Sequence, residues 1–131
     1  MTQRYLPTPK TAAQREAMAE ADGSRAERLK WTEAEFLAAI RKVAKAHGWK
    51  TYHTHDSRKS ESGFPDLVLM HPVRCEVLAW ELKAMDGKIT FEQGQWIVGL
   101  NACGIQADVV RPDRYDWIVE ILREWEVEAR P

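Results

Sequence analysis

At 131 residues the chain is long enough for one well-filled core and too short for two, and its 44% hydrophobic content with six Trp excludes a disordered protein. No apolar stretch approaches the ~20 residues of a membrane span, and the N-terminal stretch lacks the apolar centre of a signal peptide. The net charge of −1 conceals a split: residues 1–60 carry 12 Lys/Arg against 7 Asp/Glu, and residues 61–131 carry 7 against 13. A basic half suits phosphate contacts and part of an acidic half suits a metal ion, the plainer alternative being two solvated faces.

Residues 1–30 are rich in Ala, Glu, Arg and Thr, with Pro7, Pro9 and Gly23 as breakers. They read as an N-terminal arm, mobile or docked on a partner, with a short helix over Thr11 to Ala21. Residues 31–131 read as the folded domain. In "TEAEFLAAIRKVAKAHG" the residues Phe36, Leu37, Ile40, Val43 and Ala44 recur at helical spacing, and Gly48 stops the helix. "WKTYHTH" alternates as a strand does, and "DLVLMHP" is an apolar run too short for a helix, closed by Pro72. "EVLAWELKA" is the next strand, ended by the turn at Asp86 and Gly87.

"TFEQGQWIVGLNACG" is expected to be helical, with Phe91, Gln95, Trp96, Val98, Gly99 and Ala102 spread over successive turns and Gly104 past the end. "IQADVVRP" is a strand stopped by Pro112. "DRYDWIVEILREWEVEA" is read as one closing helix with the stripe Trp117, Ile118, Ile121, Leu122 and Trp125. The Trp residues at 31, 49, 80, 96, 117 and 125 are all read as packing residues. Cys75 and Cys103 make no metal-ligand pattern, which suggests a reduced, intracellular protein without structural zinc. The order helix, three strands, helix, strand, helix predicts an α/β domain in which a strand meander is extended by a crossover.

The chemistry is expected where carboxylates interrupt buried strands. Asp66 stands at the mouth of the Leu-Val-Leu-Met run, and Glu81 and Lys83 lie in the next apolar run, where charge is costly without a purpose. Alternation puts Glu81 and Lys83 on one face of their strand and Leu78, Trp80 and Leu82 on the other, toward the core. With Asp66 at the start of the neighbouring strand, two carboxylates and an ammonium gather at one end of a sheet. Carboxylate oxygens suit Mg²⁺, and the lysine can offset charge on a phosphate. The bland alternative is a structural Asp–Lys or Glu–Lys pair on a half-exposed face.

"GFPDLVLMHP", "ELKAMDGKITFEQGQWIVGL" and "GIQADVVRPDRYDWIVEIL" together resemble the VRR-NUC family of the PD-(D/E)XK nuclease superfamily, from about Thr32 to Leu122. The resemblance implies an αβββαβ core with a central mixed sheet flanked by helices. It implies a metal-dependent deoxyribonuclease in which Asp66, Glu81 and the backbone carbonyl of Leu82 hold Mg²⁺ or Mn²⁺ and Lys83 assists hydrolysis. It also implies a glutamine after the motif, Gln93, and a glutamate in the first helix, Glu35 or alternatively Glu33. Thr32-x-x-Glu35 and Thr90-x-x-Gln93 equally fit helix capping boxes.

Substrate contacts are expected from His53, His55, Ser57, Arg58, Lys59 and Lys88, with zinc at His53 and His55 or a solvated loop as the alternatives. The small size resembles stand-alone phage-type members linked with four-way junctions. That implies branched DNA as partner, a homodimer, no membrane, and the cytoplasm of a bacterial or phage-infected cell. The competing readings are a catalytically silent DNA-binding module and a sequence-specific restriction-type endonuclease. The arm and the closing helix, with Trp117 and Trp125, are the expected dimer contact unless the domain's own core consumes that helix.

Overall fold

The computed structural model describes residues 4–7, 11–14, 23–54, 61–123 and 125–128. In chain order these form strand β1 (Arg4–Pro7), the short helix α1 (Arg25–Arg28), α2 (Glu33–Ala46), β2 (Lys50–His53), β3 (Leu67–His71), β4 (Glu76–Leu82), α3 (Phe91–Ala102), β5 (Gln106–Val110), a 3₁₀ turn (Pro112–Arg114), α4 (Tyr115–Leu122) and β6 (Trp125–Glu128). Strands β2, β3, β4 and β5 lie side by side in that order. The first three pair antiparallel and β5 joins β4 in parallel, with α3 as the crossover. The fold is therefore the expected α/β architecture with a mixed sheet.

Helix α2 starts where Thr32 accepts from the Glu35 N–H and Glu35 accepts from the Thr32 N–H, each at 3.1 Å, so two orphan donors of the first turn are satisfied. It ends at Gly48, whose φ of +84° suits a residue without a Cβ. Its apolar stripe, Phe36, Ile40, Val43 and Ala44, is fully buried against Leu67, Leu69, Leu78, Trp80, Leu82 and Val110 of the sheet and Tyr115, Ile118 and Leu122 of α4. Thus Leu78, Trp80 and Leu82 face the core as alternation requires, and Glu81 faces the other way.

Several expectations are corrected by tertiary contacts. The closing helix stops at Leu122, and Trp125 belongs to β6, which pairs antiparallel with β1. Its last carbonyls have side-chain partners instead of a further turn: Trp49 Nε1 donates to Leu122 O at 2.8 Å, and Arg74 Nη1 donates to Ile121 O at 2.8 Å. The stripe of α4 that was a candidate dimer contact is consumed by the domain's own core, with Tyr115, Ile118 and Leu122 buried. Trp117 is not a core residue. It is 41% exposed, tilted on Trp80 and stacked by the Arg114 guanidinium at 4.1 Å.

Part of the expected arm packs on the domain, for Arg28 is buried and pairs with Asp116 at 3.3 Å. The helix expected over residues 11–21 falls mostly outside the described residues, of which 12–14 are helical. Both cysteines are free and exposed. No helix among the described residues is long and apolar enough to cross a membrane.

Helix α3 departs furthest from expectation. None of its residues is buried, and its intended core stripe points outward. Polar ties hold it instead. Trp96 Nε1 donates to Ser62 O at 3.1 Å, and Asn101 exchanges hydrogen bonds with the backbone of Ala107 on β5 (2.8 and 3.3 Å). Trp96 also meets Phe64 edge-on at 5.2 Å, so this Trp packs against a loop rather than in the core.

Candidate active site

Asp66 precedes β3, and the register that pairs Leu67 with Trp80 brings Asp66 opposite Glu81. The ladder ends here, and the Leu82 N–H donates to Asp66 Oδ2 at 3.0 Å instead of to a main-chain carbonyl. That bond aims one carboxylate oxygen along the strand and sets the Asp66 carboxyl within hydrogen-bonding reach of Glu81. Glu81 sits on the central strand with only 2% of its surface exposed. Its Oε1 accepts from Gln93 Nε2 at 2.9 Å and lies 3.8 Å from Lys83 Nζ. Its Oε2 is buried and, while both carboxyls are ionised, has no hydrogen-bond partner. Lys83, 9% exposed, is held one residue past the strand end by its own N–H, which donates to Val110 O.

Burial first, then hydrogen bonding to and the negative charge of Asp66, push the Glu81 carboxyl from the usual 4.5 up to about 8; Lys83 opposes the shift and Glu33 adds a little to it. A shared proton or a cation is what this pair of carboxyls needs. The sign for stability follows directly. Between those two values the folded chain holds a proton that the unfolded chain has released, so metal-free stability falls as pH rises through the window. Melting in EDTA is expected to drop across it, and Glu81→Gln to flatten the drop. Mg²⁺ should protect increasingly as pH rises, with proton release on binding. A flat melting profile for the unsubstituted chain would remove the carboxyl coupling.

Beside this pair lies a cleft of 320 Å³ lined by Glu33, Ala34, Leu37, His53, Asp66 and Leu82. Glu33, not Glu35, borders it. The Glu35 carboxylate is engaged in capping α2, two residues and a different helix face away. For Gln93 the two sequence alternatives coexist in one side chain. Its Oε1 accepts from the Thr90 N–H at 2.9 Å as a capping box demands, which turns its Nε2 toward Glu81. Gln93→Ala is expected to cost on the order of 1 kcal/mol through the cap and to slow cleavage about tenfold or more through Glu81. Comparing turnover well below the melting temperature with the melting shift separates the two contributions.

Of the expected substrate contacts, His53 reaches the cleft and Lys88 is exposed on the turn between β4 and α3. His55, Ser57, Arg58 and Lys59 lie outside the described residues. Among the described residues, no three His, Cys, Asp or Glu side chains cluster as a metal site. Two carboxylates and a carbonyl suit Mg²⁺ or Mn²⁺, which keep several waters. The buried, unpartnered Oε2 beside Asp66 fits such an ion.

Two positions that sequence reasoning passed over support these groups. Gly63 has φ +91°, and a Cβ there would stand 2.5 Å from the backbone carbon of Glu92. The loop carrying Asp66 therefore lies directly on the first turn of α3, which carries Gln93. Arg111 Nη1 donates to Ala84 O and Gly87 O, each at 2.7 Å, and clamps the turn between Lys83 and Lys88. The glycine of "SGFPD" was a legible signal. The arginine of "VVRP" was not.

The VRR-NUC domain family matches residues 10–113 of the chain. The chain belongs to that family. Membership makes this a nuclease domain. A solved structure described as a VRR_NUC domain superposes with a TM-score of 0.57, covering 69% of this chain and 97% of its own at 20% identity. At that identity the likeness supports the fold alone. Among curated proteins none matches the chain.

Proposed function

We propose that this VRR-NUC domain is a metal-dependent deoxyribonuclease with a PD-(D/E)XK centre, acting as a homodimer on branched DNA, four-way junctions above all. The observation that carries the metal-dependent reading is Glu81: a buried carboxylate with one oxygen unpartnered beside Asp66, inside a family of nucleases. Asp66, Glu81 and the Leu82 carbonyl are assigned to Mg²⁺ or Mn²⁺, with Glu33 rather than Glu35 bordering the ion. The ion, when bound, supplies Lewis-acid activation of water and of the phosphate.

The chain's own groups do the rest. Lys83, fixed beside Glu81, offsets charge that builds on the phosphate oxygens as the P–O bond breaks. Gln93 donates to Glu81 Oε1 and so fixes the carboxylate that would hold the ion. His53 and Lys88 are assigned to DNA, together with His55, Ser57, Arg58 and Lys59. The junction reading rests on resemblance to stand-alone phage-type members. The dimer follows from substrate geometry, because two cuts on symmetry-related strands need two centres.

Labelled linear, nicked, flap and four-way substrates, each with Mg²⁺, Mn²⁺, Ca²⁺ or EDTA, test the reading. Cleavage is expected with Mg²⁺ and Mn²⁺, fastest on four-way junctions, with Ca²⁺ supporting binding alone. Cleavage that survives EDTA sinks the metal centre, rescue by Zn²⁺ alone moves it to His53 and His55, and binding without cutting leaves a silent DNA-binding module.

A further inference from the structure

Lys83 stands one residue past the end of β4. The bond from its N–H to Val110 O, at 3.1 Å, fixes its main chain and leaves its side chain to other contacts. A lysine stem turns about several bonds and carries its charge at a point, so a fixed ammonium needs walls around the stem. The ion pair with Glu81 does not supply them, because 3.8 Å between Nζ and Oε1 is too long for a hydrogen bond. Lys83 is nonetheless buried.

The wall is the turn that follows it. The Gly87 N–H donates to Ala84 O at 3.1 Å and folds the chain back over the lysine. A Cβ at Gly87 would stand 3.3 Å from Lys83 Cδ and 3.4 Å from Lys83 Cβ, so the Gly87 main chain lies against the aliphatic stem. Met85 and Asp86 at the tip are exposed, and the turn therefore gains little from burial and needs a tether. Arg111 is that tether. Its Nη1 donates to Ala84 O and to Gly87 O, at 2.7 Å each, short bonds strengthened by the donor's charge. Among the described residues its partners are main-chain carbonyls and no carboxylate. It is also firmly rooted, since the preceding Val110 is fully buried.

We propose that Arg111 is a positioning residue for Lys83: by holding the turn of residues 84–87 down on the lysine stem, it keeps Nζ beside Glu81. Consecutive residues at the end of β5 thus fix both parts of the lysine, Val110 its main chain and Arg111 its side chain. For its consequence in catalysis the inference rests on the nuclease reading above; for the placement of Lys83 it rests on the contacts alone. Without the clamp the turn lifts, the stem regains its rotamers and the ammonium turns to water. A mobile, hydrated charge offsets the developing charge on a phosphate poorly.

Acetylation of the metal-free chain with limiting acetic anhydride, read lysine by lysine by mass spectrometry, tests the placement without any cleavage. Arg111→Ala is expected to raise Lys83 labelling several-fold relative to Lys45 of α2 and Lys50 of β2, both exposed. Arg111→Lys should restore much of the protection, because both short bonds come from one nitrogen that an ammonium can replace. Gly87→Ala leaves the clamp and pushes on the stem directly, and it should raise Lys83 labelling too. In single-turnover cleavage, Arg111→Ala should slow the rate on the order of 100-fold at unchanged DNA affinity. Added to Lys83→Ala, it should slow the residual rate by less than about twofold, since it acts through the lysine. Unchanged Lys83 labelling in folded Arg111→Ala, or in Gly87→Ala where Arg111→Ala does not fold, overturns the proposal. Equal losses of rate with and without Lys83 make Arg111 a support of the fold alone and overturn its action through the lysine. An inactive wild type whose Lys83 labelling still answers to Arg111 removes the nuclease reading and leaves the clamp standing.

Discussion

Glu81→Gln is expected to abolish cleavage, by on the order of 10³-fold or more, while leaving the metal-free fold as stable as before or more so above neutral pH. The two effects have one cause. Burial and Asp66 disfavour the Glu81 charge, which is why its carboxyl is pushed up to about 8. A neutral amide of the same shape relieves that conflict and keeps a partner for Gln93. Under the proposed metal-dependent reading, the same amide could not balance a divalent cation, and the transition state would lose that charge stabilisation. A substitution that stabilises the fold and destroys the activity is the mark of a site held against its own preference. Asp66→Asn and Lys83→Ala should match the loss of cleavage. Melting scans in EDTA above neutral pH, read beside single-turnover cleavage with Mg²⁺, separate the two effects. Near wild-type turnover in any of the three variants removes that residue from the centre.

Gly63→Ala is the second large effect, and it reaches the site through packing. The residue has φ +91°, and the added methyl would meet main-chain atoms of Glu92 and Gln93 at 2.5 to 2.8 Å. Backbone in a capped helix turn cannot swing aside as a side chain does. A left-handed alanine costs roughly 1–2 kcal/mol and overpacking a further ~1–3 kcal/mol, so the melting temperature should fall by on the order of 10 °C. The loop must lift from α3, and it carries Asp66. A misplacement of about 1 Å is enough to cost ~100-fold in rate, so cleavage measured well below the melting temperature should fall much further than the folded fraction. An alanine variant with normal rate and reduced stability would show that Gly63 supports the fold and not the geometry of Asp66.

Much of this domain was legible from local chemistry. Two capping boxes, at Thr32 and Thr90, mark helix starts because they operate over three residues. Strand alternation correctly put Leu78, Trp80 and Leu82 on the core side of β4 and Glu81 on the other. The pairing of a carboxylate before one strand with Glu81 and Lys83 on the next pointed to a single end of the sheet, and the register places them there.

The tertiary structure decided what lies against each face. Periodicity finds a stripe on α3 but is silent about which side meets the sheet. The polar ties of Trp96 to Ser62, 34 residues away, and of Gln93 to Glu81, 12 away, turned Phe91 and Val98 outward. The closing helix ended early because Trp49 and Arg74, both distant in sequence, take its last carbonyls. Glu33 and Glu35 have the same chemistry and nearly the same address. Only the capping bond of one and the cleft beside the other distinguish them. Gln93 needed both levels: its cap is written locally, but that the same amide also holds Glu81 depends on a glycine loop lying flat on the helix, a contact between main chains that leaves no periodic trace.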